Sequence, residues 1–400
     1  MRDPATSALS SKNYRTYLYG SIFSLLGVWI QRLAIGWHAW QLSESAFVVG
    51  LVAAVQFLPV IFLTPFFGVL VDRIRAQTGA IVANIIMGMI AAIMGVVTLQ
   101  GGMTAEILLS LALAQGFVVS FYSPARLALL PDLVSKQRFQ SSVAIQATVF
   151  NLSRFVGPAL AGFVIAFWGI GWSYVINAIT YIPAVLSIAL LKIDHSAKPP
   201  RNKKPYVEEL KEGLKYAGKH PQIRMAILMS LAASFFGRSI LDLLPAFVAI
   251  MFQGGSNGLA ALMAAAGLGA LVGSVAMTTE FLRVRLQFLI VGGCFCVAIA
   301  LVAFGLAANL YIGLAAIALL GLSCTFVSVG SQTLVQLRVE DRLRGRVISL
   351  WSLVIMGGPA LGGIAGGWFV GSIGPLFTAL ASATGCLLFA VLIARWNMKA

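Results

Sequence analysis

The amino-acid sequence predicts an all-α membrane protein of twelve transmembrane helices in two pseudo-symmetric six-helix bundles. Three observations predict this. The chain is 59% hydrophobic and only 10% charged, with a mean hydropathy of +0.92. A soluble chain carries about a quarter charged residues, so this one lacks the polar surface to face water all round. Charge is also absent over long intervals: only Glu106 lies between Arg75 and Arg126, only Arg154 between Arg138 and Lys192, and nothing charged from Asp242 to Glu280, Arg285 to Arg338 or Arg346 to Arg395. Finally, all Lys and Arg residues except Arg32, Arg154 and Arg238 fall in alternate loops.

A spanning helix needs about 20 predominantly apolar residues. The longer charge-poor intervals therefore each hold two spans joined by a short turn such as Gln100–Gly102. The spans fall near 17–41, 46–70, 79–99, 104–126, 139–166 and 169–191, then 223–252, 257–279, 286–306, 309–333, 346–370 and 374–395. Residues 1–191 make the N-terminal six-helix bundle and residues 223–400 the C-terminal one. Between them, residues 192–222 form a cytosolic linker. It opens with the basic, proline-rich run Lys198-Pro199-Pro200-Arg201-Asn202-Lys203-Lys204-Pro205 and continues as an amphipathic helix over Tyr206–Lys219, where Tyr206, Leu210 and Leu214 repeat at helical spacing.

The net charge of +15 is an orientation signal and not a nucleic-acid footprint. Confinement of basic residues to one set of loops follows the positive-inside rule and puts both termini in the cytoplasm of a multi-pass plasma (inner) membrane protein. The first 16 residues are polar, unlike a secretory signal. The four cysteines, Cys294, Cys296, Cys324 and Cys386, lie in apolar spans and offer neither a metal site nor a disulfide pattern. An enzyme is excluded on similar grounds. Two of the three histidines, His195 and His220, sit in the linker, and no phosphate-cradling glycine loop is present. No cofactor is expected.

The halves repeat each other. Gly157-Pro158-Ala159-Leu160-Ala161-Gly162 in span 5 matches Gly358-Pro359-Ala360-Leu361-Gly362-Gly363 in span 11. Glycine permits close helix approach, and proline frees a carbonyl and allows a bend. Gly157, Pro158, Gly358 and Pro359 are thus packing and bending positions.

Charge inside a bilayer is costly and marks functional positions. Arg32, Arg154, Arg238 and Asp242 lie well inside spans, and Asp242 is the one deep carboxylate. Arg238 and Asp242 are four residues apart on one helical face. They are either a structural ion pair or a proton site in which Asp242 is the carrier. Arg32 and Arg154 suit an anionic substrate, or else bond backbone carbonyls or Asp242. His38 reads as an interfacial residue beside Trp37 and Trp40.

Several motifs, in order, resemble the major facilitator superfamily, and within it the branch of bacterial efflux proteins that includes enterobactin-exporter-like transporters. Span 1 carries Gly27-Val28-Trp29-Ile30-Gln31-Arg32-Leu33-Ala34-Ile35-Gly36-Trp37. The loop after span 2 carries Gly68-Val69-Leu70-Val71-Asp72-Arg73. Span 4 ends in Ser123-Pro124-Ala125-Arg126, and span 11 opens with Arg344-Gly345-Arg346-Val347. The span 2–3 motif is incomplete, since Arg75, Ala76 and Gln77 stand where glycine and two basic residues are usual. Ala112 stands where many proton-coupled exporters have arginine.

The resemblance implies the major facilitator fold and a secondary active transporter. Such a protein exports a small amphipathic molecule (a siderophore, drug or metabolite) by alternating access and proton antiport, as a monomer in the lipid bilayer. It places Trp29, Gln31, Arg32, Arg154, Arg238 and Asp242 along the substrate or proton pathway. It makes Gly68, Asp72, Arg73, Gly345 and Arg346 a conformational latch, with Asp72 at the positive end of the span 11 helix dipole. A proton-coupled nutrient importer and a lipid-moving protein are the alternatives.

Overall fold

The computed structural model describes residues 7–71, 74–193, 206–277, 286–340 and 342–398. Its first six spans are α1 (Lys12–Ser43), α2 (Ala46–Val71), α3 (Ala76–Leu99), α4 (Ala105–Leu129), α5 (Phe139–Trp168) and α6 (Ile170–Ala189). The linker helix α7 (Tyr206–Lys219) coincides with the amphipathic stretch read from the sequence.

The seventh span, expected near 223–252, is segmented. Helix α8 (Pro221–Ala232) runs into a π turn (Ala233–Arg238), then the short α9 (Ser239–Asp242) and α10 (Leu244–Phe252). Leu243 separates the last two pieces, and Pro245 in the first turn of α10 lacks the N–H that an unbroken helix would use. The remaining helices are α11 (Ser256–Ala276), α12 (Leu286–Gly305), α13 (Leu310–Arg338) and α14 (Arg344–Met398). Helix α14 contains two spans, because Gly374 inside it has φ 82° and ψ 166°. With α14 divided there, the described residues contain the twelve expected spans.

Local chemistry sets the ends. Thr104 caps α4 by accepting the Ile107 N–H, and Asn309 caps α13 by accepting the Ile312 N–H at 3.0 Å. Gly169 joins α5 to α6 with φ 85° and ψ 167°, nearly the geometry of Gly374 between the two arms of α14. Only glycine adopts this backbone region readily. Equivalent junctions in the two halves thus share one conformational solution.

Packing divides the chain into two units, residues 1–38 with 55–201 and residues 39–54 with 202–400. In the first, α3 packs on both α4 and α6, and α5 packs on α6. At its basic end Tyr14, Tyr17, Val71, Ala125, Leu129 and Ile188 share a buried cluster. The Tyr14 hydroxyl there donates to the Ser142 carbonyl at 2.9 Å. In the second unit, α13 packs on α11 and α12, while α14 covers α8, the π turn and α7. The short 39–54 segment also belongs to this second unit, where Gly50 lies on the Gly363 backbone of α14 and Ala46 on Gly367.

Candidate functional site

Within the first unit, Trp29 of α1 is the centre of a cation–aromatic cluster. The Arg32 guanidinium lies 5.3 Å from the Trp29 ring and 5.0 Å from the Phe57 ring. The Arg154 guanidinium, from α5, lies 5.8 Å from the Trp29 ring, and Phe150 meets the same ring edge-on at 5.7 Å. Such cation–π contacts contribute about 0.5–2 kcal/mol each, more as water is excluded. Trp29 is 6% exposed, yet its indole Nε1 has no hydrogen-bond partner. A buried donor without an acceptor is costly, and here it lies beside two cations. The group therefore suits a ligand with acceptor oxygens or negative charge. Gly157 makes the arrangement sterically possible, because a side chain there would collide with the Trp29 Cβ.

Gln31 is placed differently from its neighbours in the motif. It is 1% exposed, and its Nε2 donates to Gln115 Oε1 of α4 at 2.9 Å. Asn177 Nδ2 of α6 donates to Gln31 Oε1, and Thr180 Oγ1 donates to the Asn177 carbonyl at 2.7 Å. Gln31 thus ties α1 to α4 and α6 with its amide paired on both sides. His38 is also internal, its Nδ1 lying 3.1 Å from the Tyr174 hydroxyl.

Within the second unit, Arg238 ends the π turn and Asp242 ends α9. Both are half-buried. Arg238, Ser230, Ser234, Cys324 and Ser328 line a cavity of about 10 Å³, room for one water molecule at most. Gly358 of α14 packs against this turn: an added Cβ would stand 2.7 Å from the Ser234 Cβ and 3.2 Å from the Phe235 amide nitrogen. Gly157 and Gly358 therefore do the same steric work in different units, each letting a proline-containing helix approach a helix that carries site residues. Trp351, also in α14, has a buried indole Nε1 without a partner.

Of the latch residues, Asp72 and Arg73 lie outside the described residues. Gly68 and Gly345 have open space where a side chain would project. Arg346 is engaged by α7: it pairs with Glu212, and its Nε lies 4.0 Å from Glu209 Oε1. The sequence reading missed these two acids. Their signal was the acidic face of the amphipathic helix. Among the described residues, no cluster of three His, Cys, Asp or Glu side chains could hold a metal.

Spanning helices, a two-unit division and half-buried cations inside apolar segments define a polytopic membrane transporter. The chain belongs to the transmembrane secretion effector family (MFS_3), whose description matches residues 4–400. It is therefore a major facilitator transporter of small molecules, not an enzyme. It is 25% identical over 340 residues to the staphyloferrin A transporter of Staphylococcus aureus (strain NCTC 8325 / PS 47), with 84% of each chain covered. It is 26% identical over 288 residues to the enterobactin exporter EntS of Escherichia coli O1:K1 / APEC, covering 71% of this chain and 67% of that protein. Among solved structures it is similar to a bacterial homologue of the human lysosomal transporter Spinster in an inward-facing, unoccupied conformation. The TM-score is 0.74 at 16% identity, covering 97% of this chain and 98% of that one, a likeness that shows the fold. The superfamily and exporter branch suggested by the motifs are thus the ones to which the relatives belong.

Proposed function

We propose that this protein exports a small, acceptor-rich amphipathic molecule of siderophore type by alternating access, driven by proton antiport. The observation that carries the reading is the Trp29 cluster: an unpartnered buried indole N–H with Arg32 and Arg154 stacked about its ring. A negatively charged or oxygen-rich substrate supplies an acceptor for that indole N–H. Relatives named for staphyloferrin A and enterobactin support the same substrate class.

Asp242 is the proposed proton carrier, with Arg238 one turn away in the same span. Proton binding at Asp242 and substrate binding at the arginines then alternate as the transporter changes state. The family resemblance assigns a cytosolic latch role to Gly68, Asp72, Arg73, Gly345 and Arg346. By the positive-inside rule the basic loops and both termini face the cytoplasm of the bacterial inner membrane, and the functional unit is a monomer.

The test is transport in inverted vesicles under an imposed proton gradient, with wild type and Asp242→Asn compared across siderophores, dyes and organic acids. Gradient-driven uptake that the variant loses, while it still binds substrate, supports both export and the carrier role. Normal transport by the variant removes Asp242 from the coupling. Nutrient accumulation in right-side-out vesicles, with none in inverted ones, replaces export by import.

A further inference from the structure

The groove between α3 and α6 plays no part in the proposed transport chemistry. It lies wholly in the first unit and has a volume of about 540 Å³, within the range of a ligand site. Its walls are large apolar side chains, Ile85, Met89 and Val96 on α3 and Ile179, Ile182 and Leu186 on α6, all at least 44% exposed. Its floor is made of small residues, Gly88, Ala92 and Ala178. A Cβ at Gly88 would come within 3.2 Å of the Tyr181 Cβ, so the helices are in close contact beneath the groove. Its length on α3, from Asn84 to Val96, is about 18 Å at 1.5 Å per residue, a little more than half of the ~30 Å hydrocarbon core.

The two ends of the groove differ in charge. On α3 the exposed stripe Val82, Thr78, Arg75 continues at helical spacing from Ile85 to the basic end. On α6 the stripe Leu186, Leu190 leads to Lys192, which is exposed. Gln77 fastens the two helices there, its Nε2 donating to the Ile188 carbonyl at 2.9 Å and the Leu191 carbonyl at 3.1 Å. Arg75 and Lys192 thus lie beyond the same end of the groove, each along the exposed stripe of its helix. At the other end, Gln100–Met103 and Gly169 carry no basic residue.

We infer that this groove is a binding site for an anionic phospholipid of the leaflet at the basic end, with one acyl chain lying along Ile85–Met89 and Ile182–Leu186 and the phosphate held by Arg75 and Lys192. The small floor and large walls match a narrow, flexible hydrocarbon chain. The bilayer supplies that occupant at high concentration, and the basic pair selects the anionic headgroup. The inference does not depend on the transported substrate.

Native mass spectrometry of the full chain in mild detergent tests it, with dioleoylphosphatidylglycerol and dioleoylphosphatidylethanolamine titrated separately. Wild type is expected to retain the anionic lipid preferentially. Ala92→Phe with Ala178→Phe fills the floor and is expected to lose the retained lipid. Arg75→Gln with Lys192→Gln keeps the groove but is expected to lose the headgroup preference, by up to about thirtyfold for two basic residues. Should the filled variant not fold, Ala92→Leu alone is expected to reduce retention in part. Equal retention of both lipids by wild type overturns the anionic selection. Undiminished retention in a groove-filled variant overturns the site, and so does a wild-type dimer that filling the groove dissociates, which would assign the groove to a second copy of the chain.

Discussion

Arg346, in the first turn of the last long helix, is paired with Glu212 of the linker helix, 134 residues earlier in the chain. Glu209 adds a second, longer contact to the same guanidinium, and Gly213 packs on the Arg346 backbone, where an added Cβ would stand 3.1 Å from its carbonyl oxygen. The linker helix is therefore fastened to span 11 by charge and by close packing together.

Glu212→Gln is expected to loosen α7. Its partner is 18% exposed and Glu212 itself 38%, so the pair contributes at most about 1 kcal/mol, and amide exchange across Tyr206–Lys219 should quicken about fivefold. The exchanged pair Glu212→Arg with Arg346→Glu should restore protection in hydrogen-exchange mass spectrometry. Gly213→Leu should loosen the same helix with all charges intact.

Trp29→Phe keeps the ring that Arg32 and Arg154 stack on but removes the indole donor. A hydrogen bond to a charged group contributes about 1.5–3 kcal/mol, so the apparent affinity for an anionic substrate should fall about ten- to hundredfold. A neutral substrate should be affected little. Concentration dependence of transport for matched charged and neutral compounds measures the difference; equal losses for both would remove the indole from charge recognition.

Gln31→Leu should act on stability. It leaves Gln115 and Asn177 without their buried amide partner, at about 1–3 kcal/mol per unsatisfied group. Thermal unfolding in detergent should show a lower midpoint, and the folded fraction should keep wild-type substrate preference. A changed preference at unchanged stability would place Gln31 in the substrate path.

Gly169→Ala and Gly374→Ala should each destabilise by about 1–3 kcal/mol, the cost of a side chain at a backbone geometry near φ 85° and ψ 167°. Neither glycine has a neighbour within 4 Å of an added Cβ, so the effect is conformational and not steric. Thermal midpoints and expression yields of the two variants should fall together.

Much of this architecture was legible in the sequence because the bilayer restricts what a chain can do. Charge-poor intervals located the twelve spans, and the spacing of Tyr206, Leu210 and Leu214 located α7. The π turn at Ala233–Arg238 was not legible, because one extra residue in a turn leaves the apolar composition unchanged. The burial of Gln31 was hidden for another reason. A motif gives residue types in order, whereas the direction a side chain takes depends on Gln115 and Asn177 arriving from other helices. The partners of Arg346 lay far away in sequence, and only packing of α7 on span 11 brings them together.

The connections at the end without basic residues are very short: Glu44–Ser45, Gln100–Thr104, Gly169 alone, Gln253–Gly255, Leu306–Asn309 and Gly374 alone. None contains Lys or Arg. A protease such as trypsin, which cuts after those residues, finds no substrate at that end, and an antibody finds little to hold. Sealed vesicles of opposite sidedness should therefore give opposite digestion patterns, so the untagged protein reports its own orientation in the membrane.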